Sequence, residues 1–464
     1  MNASFRLKLF VMMVIEFIIW GAWLPLIYGY LPSLGFTPLQ QSWILNAFPI
    51  AAIVGMFFSN QFADRNFAAE RFLAFSHLVG GGAILALAFI KASPAALEHL
   101  KQHPDAVWNP LAPFWPFFGL MMLHCLLYVP TLSICNSIAF AHMKDSQKEF
   151  GRIRMGGTIG WILAAWPFTF ILVDWAKVEA AQPEGFTAWL GTVLSSGLTG
   201  PSLQEATRWT YIVAGLASFV MAAFSFTLPH TPPKKAGEAG VESLAWLEAM
   251  KLLKKPFVLV LWLITLVDSF LLYSYFNWTG PFLGTAQAAG GPGIPGNWIM
   301  PVMSIGQVME ILTMLILGVT LKRLGWRMTM VFGILGHTAR FAIYAFFPQS
   351  PALIVLVQLI HGVCYAFFFA TVYIFVDTYF PKDTRASAQG LFNMMIFGFG
   401  NIAANLVCPW LKQSVYTSGD VTDYRSLFLV PTVISVLAAI CLALLFRPPP
   451  APAAATAESA PPAH

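Results

Sequence analysis

The stretch HTPPKKAGEAGVESLAW (residues 230–246) is polar, basic and rich in proline and glycine, and it interrupts a chain that is otherwise strongly apolar. Of the 464 residues, 58% are hydrophobic and 10% are charged. A soluble protein carries about 25% charged residues. The composition therefore indicates a membrane protein, and the polar stretch indicates a linker that divides it.

Twelve apolar stretches, six before this linker and six after it, are long enough for membrane-spanning helices, which need about 20 residues each. They lie at roughly 8–30, 41–62, 72–92, 113–141, 152–174, 208–228, 256–278, 297–320, 328–348, 351–376, 387–411 and 426–447. The predicted fold is an all-α membrane protein with twelve transmembrane helices in two six-helix halves. The predicted units are an N-terminal half (1–228), a cytoplasmic linker (229–255), a C-terminal half (256–447) and a disordered Pro/Ala-rich tail (448–464).

The distribution of basic residues predicts the orientation of these spans. With the N-terminus placed inside, six of the 26 Lys and Arg fall in outer segments and Arg340 falls within a span, while the other 19 are cytoplasmic. This positive-inside bias predicts a multi-pass protein of the cytoplasmic membrane with both termini cytoplasmic. The net charge of +5 thus reports topology and does not indicate nucleic-acid binding.

Several functional classes lack support in the sequence. All five cysteines lie in apolar spans without CxxC spacing, so neither a disulfide nor a metal site is expected, and no cofactor is implied. An intramembrane enzyme needs a nucleophile with its base or clustered metal ligands, whereas His77, His124 and His361 are scattered over separate helices. A receptor-like sensor needs a signalling domain, for which the linker and the tail are too short. A transporter is the remaining expectation.

The segment RIRMGGTIGW (152–161) carries a polar face on the fifth span. Arg154, Thr158 and Trp161 have i, i+4, i+7 spacing and share one face of a helix. Gly156 and Gly160 fall on the other side, where GxxxG spacing allows close helix packing. The polar face suits a flat ligand rich in oxygen and nitrogen. In the alternative interpretation, Arg154 only extends to the cytoplasmic surface as a topology anchor.

Four further polar positions lie inside apolar spans, where an unpaired polar group is costly. Gln307 and Glu310 are i, i+3 neighbours near the middle of the eighth span. A carboxyl group in low dielectric favours its neutral form, so Glu310 is a candidate proton carrier; the alternative is a structural hydrogen bond to a neighbouring helix. Asp268 lies mid-span in the seventh helix. His361, in the tenth, is either a hydrogen-bonded packing element or a proton relay.

Two other features point to a cavity. Pro130 should kink the fourth span, and Asn136 follows it in the same helix. Ser274 and Asn277 lie near the outer end of the seventh span, where they either line a cavity or cap the helix.

These motifs and their order resemble the nucleoside:proton symporter family of the major facilitator superfamily. The resemblance runs over nearly all twelve spans. It rests on WGAW (20–23), YVPTLSICN (128–136), IRMGGTIGW (153–161), FTLPHTP (226–232), SIGQVME (304–310) and TRASAQGLF (384–392). It implies transport by alternating access, with the substrate site near the membrane midplane between the halves.

The resemblance also implies a set of site residues. The family's arginine, threonine and aromatic residue on the fifth helix carry over to Arg154, Thr158 and Trp161, with Trp in place of the common Phe. Its Gln and Glu on the eighth helix carry over to Gln307 and Glu310. Its Gln and Asn on the seventh helix have Ser274 and Asn277 as their nearest matches.

One departure concerns proton coupling. The family often has an acidic residue on the tenth helix, in a pattern like YDFF, where this chain has Tyr365-Ala366-Phe367-Phe368. We expect Asp268 to take over part of that role, so the proton-coupling candidates are Glu310 and Asp268. The expected partners are a nucleoside, protons and the lipid bilayer, with no nucleic acid, and the expected functional unit is a monomer. The alternative is a major facilitator transporter of another polar solute, such as a sugar or a modified nucleoside.

Overall fold

The computed structural model of the chain describes residues 3–55, 67–143, 146–233, 250–380, 385–419 and 421–448. Most of the predicted linker and all but the first residue of the predicted tail lie outside these ranges. The first part of the chain contains α1 (Ala3–Ser33), α2 (Pro38–Leu45), α3 (Ala47–Val54), α4 (Ala69–Leu87), α5 (Pro94–Gln102), α6 (Phe114–His142), α7 (Ser146–Ala165), α8 (Phe168–Ile171), α9 (Trp175–Ala181), α10 (Phe186–Ser195), α11 (Gly200–Ala206) and α12 (Arg208–Ser225).

The second part begins with a 3₁₀ turn (Leu252–Lys254) and α13 (Pro256–Leu283). A second 3₁₀ turn (Gln287–Ala289) precedes α14 (Gly296–Phe346), which is followed by α15 (Pro351–Tyr379) and α16 (385–415). Within α15 and α16 the helix changes winding in one 3₁₀ stretch, Val357–Ile360, and three π stretches, Tyr365–Ala370, Met394–Phe399 and Leu411–Val415. A short antiparallel pair, β1 (Thr417–Ser418) and β2 (Val421–Thr422), leads into α17 (Tyr424–Leu445).

Nine helical segments of the described ranges are long and apolar enough to cross a membrane. They are Phe5–Ser33, Ala69–Leu87, Phe114–His142, Gly200–Ser225, Pro256–Leu283, Gly296–Phe346, Pro351–Tyr379, Ala388–Val415 and Tyr424–Leu445. The second predicted span begins as α2 and α3 and then leaves the described residues. The fifth is divided between α7 and α8 at Pro167, since proline removes a helix hydrogen bond.

The eighth and ninth predicted spans lie in one long helical segment, α14, which is interrupted between them at the expected place, between residues 320 and 328. The helix kinks at Gly325, whose φ of 68° and ψ of 175° are not helical. Glycine adopts positive φ without the steric cost that a Cβ imposes. We call residues 296–324 the first arm of α14 and residues 326–346 its second arm.

The glycines of α7 hold it against α1, as their spacing predicts. A Cβ built at Gly156 would meet the backbone oxygen of Phe10, and one built at Gly160 would meet that of Val14. Only glycine allows the two backbones to approach so closely. The polar face of the same helix borders this contact, since the Arg154 guanidinium lies over the Phe17 ring and Trp161 packs against Gly21 of α1.

Helices before and after the predicted linker meet around one central region. α1 packs against α13, α7 against α14, and α2 and α3 against α16. At one end, reciprocal amide hydrogen bonds of 3.1 and 2.7 Å join Gln41 to Gln413. Nearby, the Asn405 amide donates to the Leu45 carbonyl at 3.1 Å. These contacts connect the two parts of the chain at that end of the central region.

Candidate functional site

The central region contains a cavity of about 310 Å³. Its walls come from α1, α3, α6 and α7 on one side and from α13, α14, α15 and α16 on the other. Clefts of this size, largely apolar with a few convergent polar groups, are typical of small-molecule sites. The polar side chains in its wall are Ser133, Asn136, Arg154, Thr158, Tyr273, Gln307, Glu310, His361, Tyr365 and Asn393.

The three residues predicted from the spacing on α7 all line this cavity. The guanidinium carbon of Arg154 lies over the Phe17 ring, 4.4 Å from its centre. Thr158 follows one helical turn later, and Trp161 nearly one turn after that. A single helix face thus presents a cation, a hydroxyl group and an indole ring to the same space.

Trp161 belongs to an aromatic wall. Its ring centre is 5.1 Å from that of Trp20, edge to face, and 6.2 Å from that of Phe276. Trp20 in turn stacks on Phe48 at 4.7 Å. Rings fixed by their neighbours in this way offer a flat ligand a surface that needs little reordering on binding.

Gln307 and Glu310, on the first arm of α14, line the cavity as a pair. Gln307 is 7% exposed, and within the described part of the chain its buried Oε1 has no hydrogen-bond partner. Leaving a buried polar atom unpaired costs about 1–3 kcal/mol. The positive field of Arg154 acts on Glu310. The cavity thus offers an unpaired amide oxygen and a carboxyl group opposite a cation.

The seventh-span residues Ser274 and Asn277 do not appear in the wall of this cavity. The Ser274 hydroxyl donates to the Phe270 carbonyl at 2.7 Å, and the Asn277 amide donates to Asn405 at 3.1 Å. Ser274 thus bonds back along its own helix, whereas Asn277 bonds across to α16. The cavity instead receives Tyr273 and Phe276 from the preceding positions on the same helix.

Asp268, the second proton-coupling candidate, is fully buried and does not line the cavity. Its Oδ1 lies 3.7 Å from Nε2 of His337 on the second arm of α14. Ala366 is also fully buried, inside the π stretch of α15, while its neighbour Tyr365 faces the cavity.

Sequence reasoning missed several cavity residues, among them Tyr273, Phe276, Tyr365 and Asn393. Aromatic residues are common in apolar spans, so their identity gave no signal. Asn393 could have been predicted, because it is a polar amide inside the apolar eleventh span. In the structure its amide oxygen accepts a hydrogen bond of 2.6 Å from the Tyr373 hydroxyl.

A family model described as "Nucleoside H+ symporter" matches residues 1–99, 109–196 and 189–451. The chain belongs to the nucleoside H+ symporter family. It is a membrane transporter and not an enzyme. The family confirms the resemblance that the motifs indicated.

Individual relatives align over nearly the whole chain. YegT of Escherichia coli (strain K12) is 27% identical over 452 residues, covering 95% of this chain and 93% of YegT. The nucleoside permease NupG of the same organism is 25% identical over 460 residues, covering 96% of each chain. The crystal structure of the nucleoside transporter NupG superposes with a TM-score of 0.73 at 24% identity, over 97% of this chain and 100% of that one. The crystal structure of a D-xylose–proton symporter gives a TM-score of 0.63 at 14% identity, over 96% of this chain and 98% of that one. The fold is thus that of these transporters.

Proposed function

We propose that this protein carries nucleosides together with protons into the cell by alternating access. The observation that carries the proposal is the cavity, where Gln307 and Glu310 of α14 face Arg154, Thr158 and Trp161 of α7. The site joins the two parts of the chain that must move relative to one another during transport.

The chemistry of the cavity fits a nucleoside. The vicinal ribose hydroxyls can donate two hydrogen bonds, one to the Gln307 amide oxygen and one to the Glu310 carboxylate. A nucleobase stacks on the indole of Trp161, and its edge takes hydrogen bonds from Arg154 and Thr158. The cavity of about 310 Å³ lies at the lower end of the usual range for ligand sites. This size favours one nucleoside over a larger solute.

The proposed architecture has twelve spans in two halves, 1–228 and 256–447, joined by a linker at 229–255 and followed by a tail at 448–464. Both termini are placed on the cytoplasmic side of the cytoplasmic membrane, and the working unit is a monomer in the lipid bilayer. α2 and α3 supply the second span and α7 with α8 the fifth, while the kink at Gly325 divides α14 into the eighth and ninth.

The proposal is tested with purified protein in proteoliposomes. Labelled uridine or adenosine is expected to accumulate inside when the outer buffer is more acidic than the lumen. Accumulation should disappear when an uncoupler abolishes the gradient, because no driving force then remains. Absence of accumulation with either nucleoside under a proton gradient contradicts the function.

A modified nucleoside or another polar solute is a second candidate substrate, favoured by the composition of α13. The family resemblance predicts a Gln and an Asn on the cavity face of this helix. In this chain Tyr273 and Phe276 lie there instead. A more aromatic wall suits a ligand with additional apolar surface. Competition of unlabelled sugars and of natural and modified nucleosides against labelled uridine separates these substrates.

Trp161→Ala is expected to weaken uridine binding by roughly 10- to 100-fold in Kd. Stacking of a base on an aromatic side chain contributes about 1–3 kcal/mol, and each 1.4 kcal/mol changes affinity about tenfold. Trp161→Phe keeps a flat ring and serves as the matched control, with Kd close to wild type. Equal losses in both variants would show that the ring does not stack on the ligand. Equilibrium binding of labelled uridine gives the measurement.

A further inference from the structure

The two parts of the chain contain the same arrangement of one acid and two histidines. In each part the acid lies on the first predicted span and one histidine lies on the third. The second histidine lies about three turns into the next long helix. The sets are Glu16, His77 and His124 on α1, α4 and α6, and Asp268, His337 and His361 on α13, the second arm of α14 and α15. The two sets occupy corresponding positions of the proposed halves.

In the first set the acid is fully hydrogen-bonded. Glu16 Oε2 lies 2.9 Å from His77 Nε2, and Oε1 accepts from the Thr131 hydroxyl at 2.7 Å. The other ring nitrogen of His77 is 3.0 Å from the Ser218 hydroxyl. None of the three members of this set lines the cavity. A buried carboxylate with this many partners has a structural role.

The second set differs because an arginine joins its two histidines. Arg340 is fully buried, and its guanidinium donates to Nδ1 of His361 at 2.8 Å and to Nδ1 of His337 at 2.7 Å. Its carbon also lies 4.0 Å from the ring centre of Tyr275. Arginine has no acceptor atom, so both Nδ1 atoms accept and both histidines are neutral, with their proton on Nε2.

The acid of the second set is unsatisfied. Asp268 is fully buried, and within the described ranges neither of its carboxyl oxygens has a hydrogen-bond partner. The Nε2–H of His337 faces it at 3.7 Å, just beyond hydrogen-bond distance. A buried carboxylate without donors is costly when ionised, and a proton removes that charge. Arg340 is the permanent cation whose field reaches it.

Other ionisable groups lie close to this cluster. Cys364 on α15 lies in the field of both Asp268 and Arg340. Tyr275 comes from α13 itself, and Glu310 of α14 lines the same cavity as His361. Asp268 and Arg340 are the two opposite charges of this cluster, and the field of Arg340 reaches Asp268.

We propose that Asp268 holds the transported proton and that Arg340 and His361 transmit its protonation state to the substrate cavity. The inference rests on the proposed function and identifies where its proton is carried. His361 belongs both to the cluster and to the cavity wall. When Asp268 is ionised, its negative charge offsets part of the positive field that Arg340 exerts on His361. When Asp268 is protonated, Arg340 polarises His361 more strongly, which makes the imidazole N–H a better donor. The substrate therefore binds more tightly to the protonated transporter.

The test measures the Kd for labelled uridine in detergent-solubilised protein from about pH 5 to about pH 8. Wild type is expected to bind roughly tenfold more tightly at the acidic end, within the usual range of coupling between two sites. Asp268→Asn imitates the protonated acid. Its Kd should depend on pH less steeply than the wild-type Kd, with the remaining dependence coming from Glu310 in the cavity wall. In proteoliposomes this variant should still exchange external for internal uridine but should lose accumulation driven by a proton gradient.

Glu16→Gln is the matched control, since it removes the equivalent acid of the first set outside the cavity. It should keep the wild-type pH dependence. The double variant Asp268→Asn/Arg340→Gln removes both charges together, which avoids leaving one buried charge unpaired. It should exchange uridine and show the same reduced pH dependence of Kd, even if the single variant folds poorly.

The inference would be overturned if Asp268→Asn or the double variant kept the wild-type pH dependence of the uridine Kd. It would also be overturned if Glu16→Gln lost that pH dependence to the same extent as Asp268→Asn. These outcomes differ from failure of the function itself, which appears as absence of uridine accumulation by the wild-type protein.

Discussion

Glu310→Gln is expected to abolish proton-driven accumulation of uridine and to weaken uridine binding by roughly 10- to 100-fold in Kd. Glu310 lines the cavity one turn from Gln307 and within the field of Arg154. Hydrogen bonds to a charged group contribute about 1.5–3 kcal/mol, and 1.4 kcal/mol corresponds to about a tenfold change in affinity. The glutamine removes the charge at the point where the ribose hydroxyls are proposed to donate.

The measurement combines equilibrium binding with uptake and exchange in proteoliposomes. Because the variant loses substrate contacts, exchange should fall together with accumulation, whereas Asp268→Asn should lose accumulation alone. Glu179→Gln, a change of the same kind on the exposed face of α9, should behave as wild type. Normal accumulation by Glu310→Gln would contradict a role for this carboxylate in either binding or coupling.

Gly160→Leu is expected to destabilise the protein by about 3 kcal/mol and to abolish uridine binding. A Cβ at this position would collide with the backbone of Val14 on α1. Backbone cannot move aside as a flexible side chain does, so α7 must shift. Since α7 also carries Arg154, Thr158 and Trp161, the shift would separate these residues from Gln307 and Glu310.

The Tm of the purified variant in detergent and its binding of labelled uridine measure this effect. Gly119→Leu is the matched control, because a Cβ built at Gly119 on α6 meets no described atom within 4 Å. It should keep both Tm and binding close to wild type. A Tm of Gly160→Leu equal to that of the control would show that the contact between α1 and α7 tolerates a side chain.

The sequence alone determined the class of the protein and one wall of its site. Few charges over long apolar stretches are compatible only with a membrane protein, because backbone polar groups in lipid must be satisfied within helices. Helical periodicity fixes which side chains share a face. Helical spacing therefore predicted the polar face of α7 and the Gln307–Glu310 pair on α14. The motifs and their order along the chain indicated the family.

Only the tertiary structure decided how the remaining helices are rotated and which distant residues meet. On α13 a rotation of about 100° per residue separates Tyr273 from Ser274. Packing against α16 decides that Tyr273 and Phe276 face the cavity while Asn277 bonds to Asn405. The grouping of Asp268 with Arg340 joins separate helices, and no local pattern encodes such contacts. Propensity and periodicity act within one helix, whereas the neighbours of a buried charge depend on how all the helices pack.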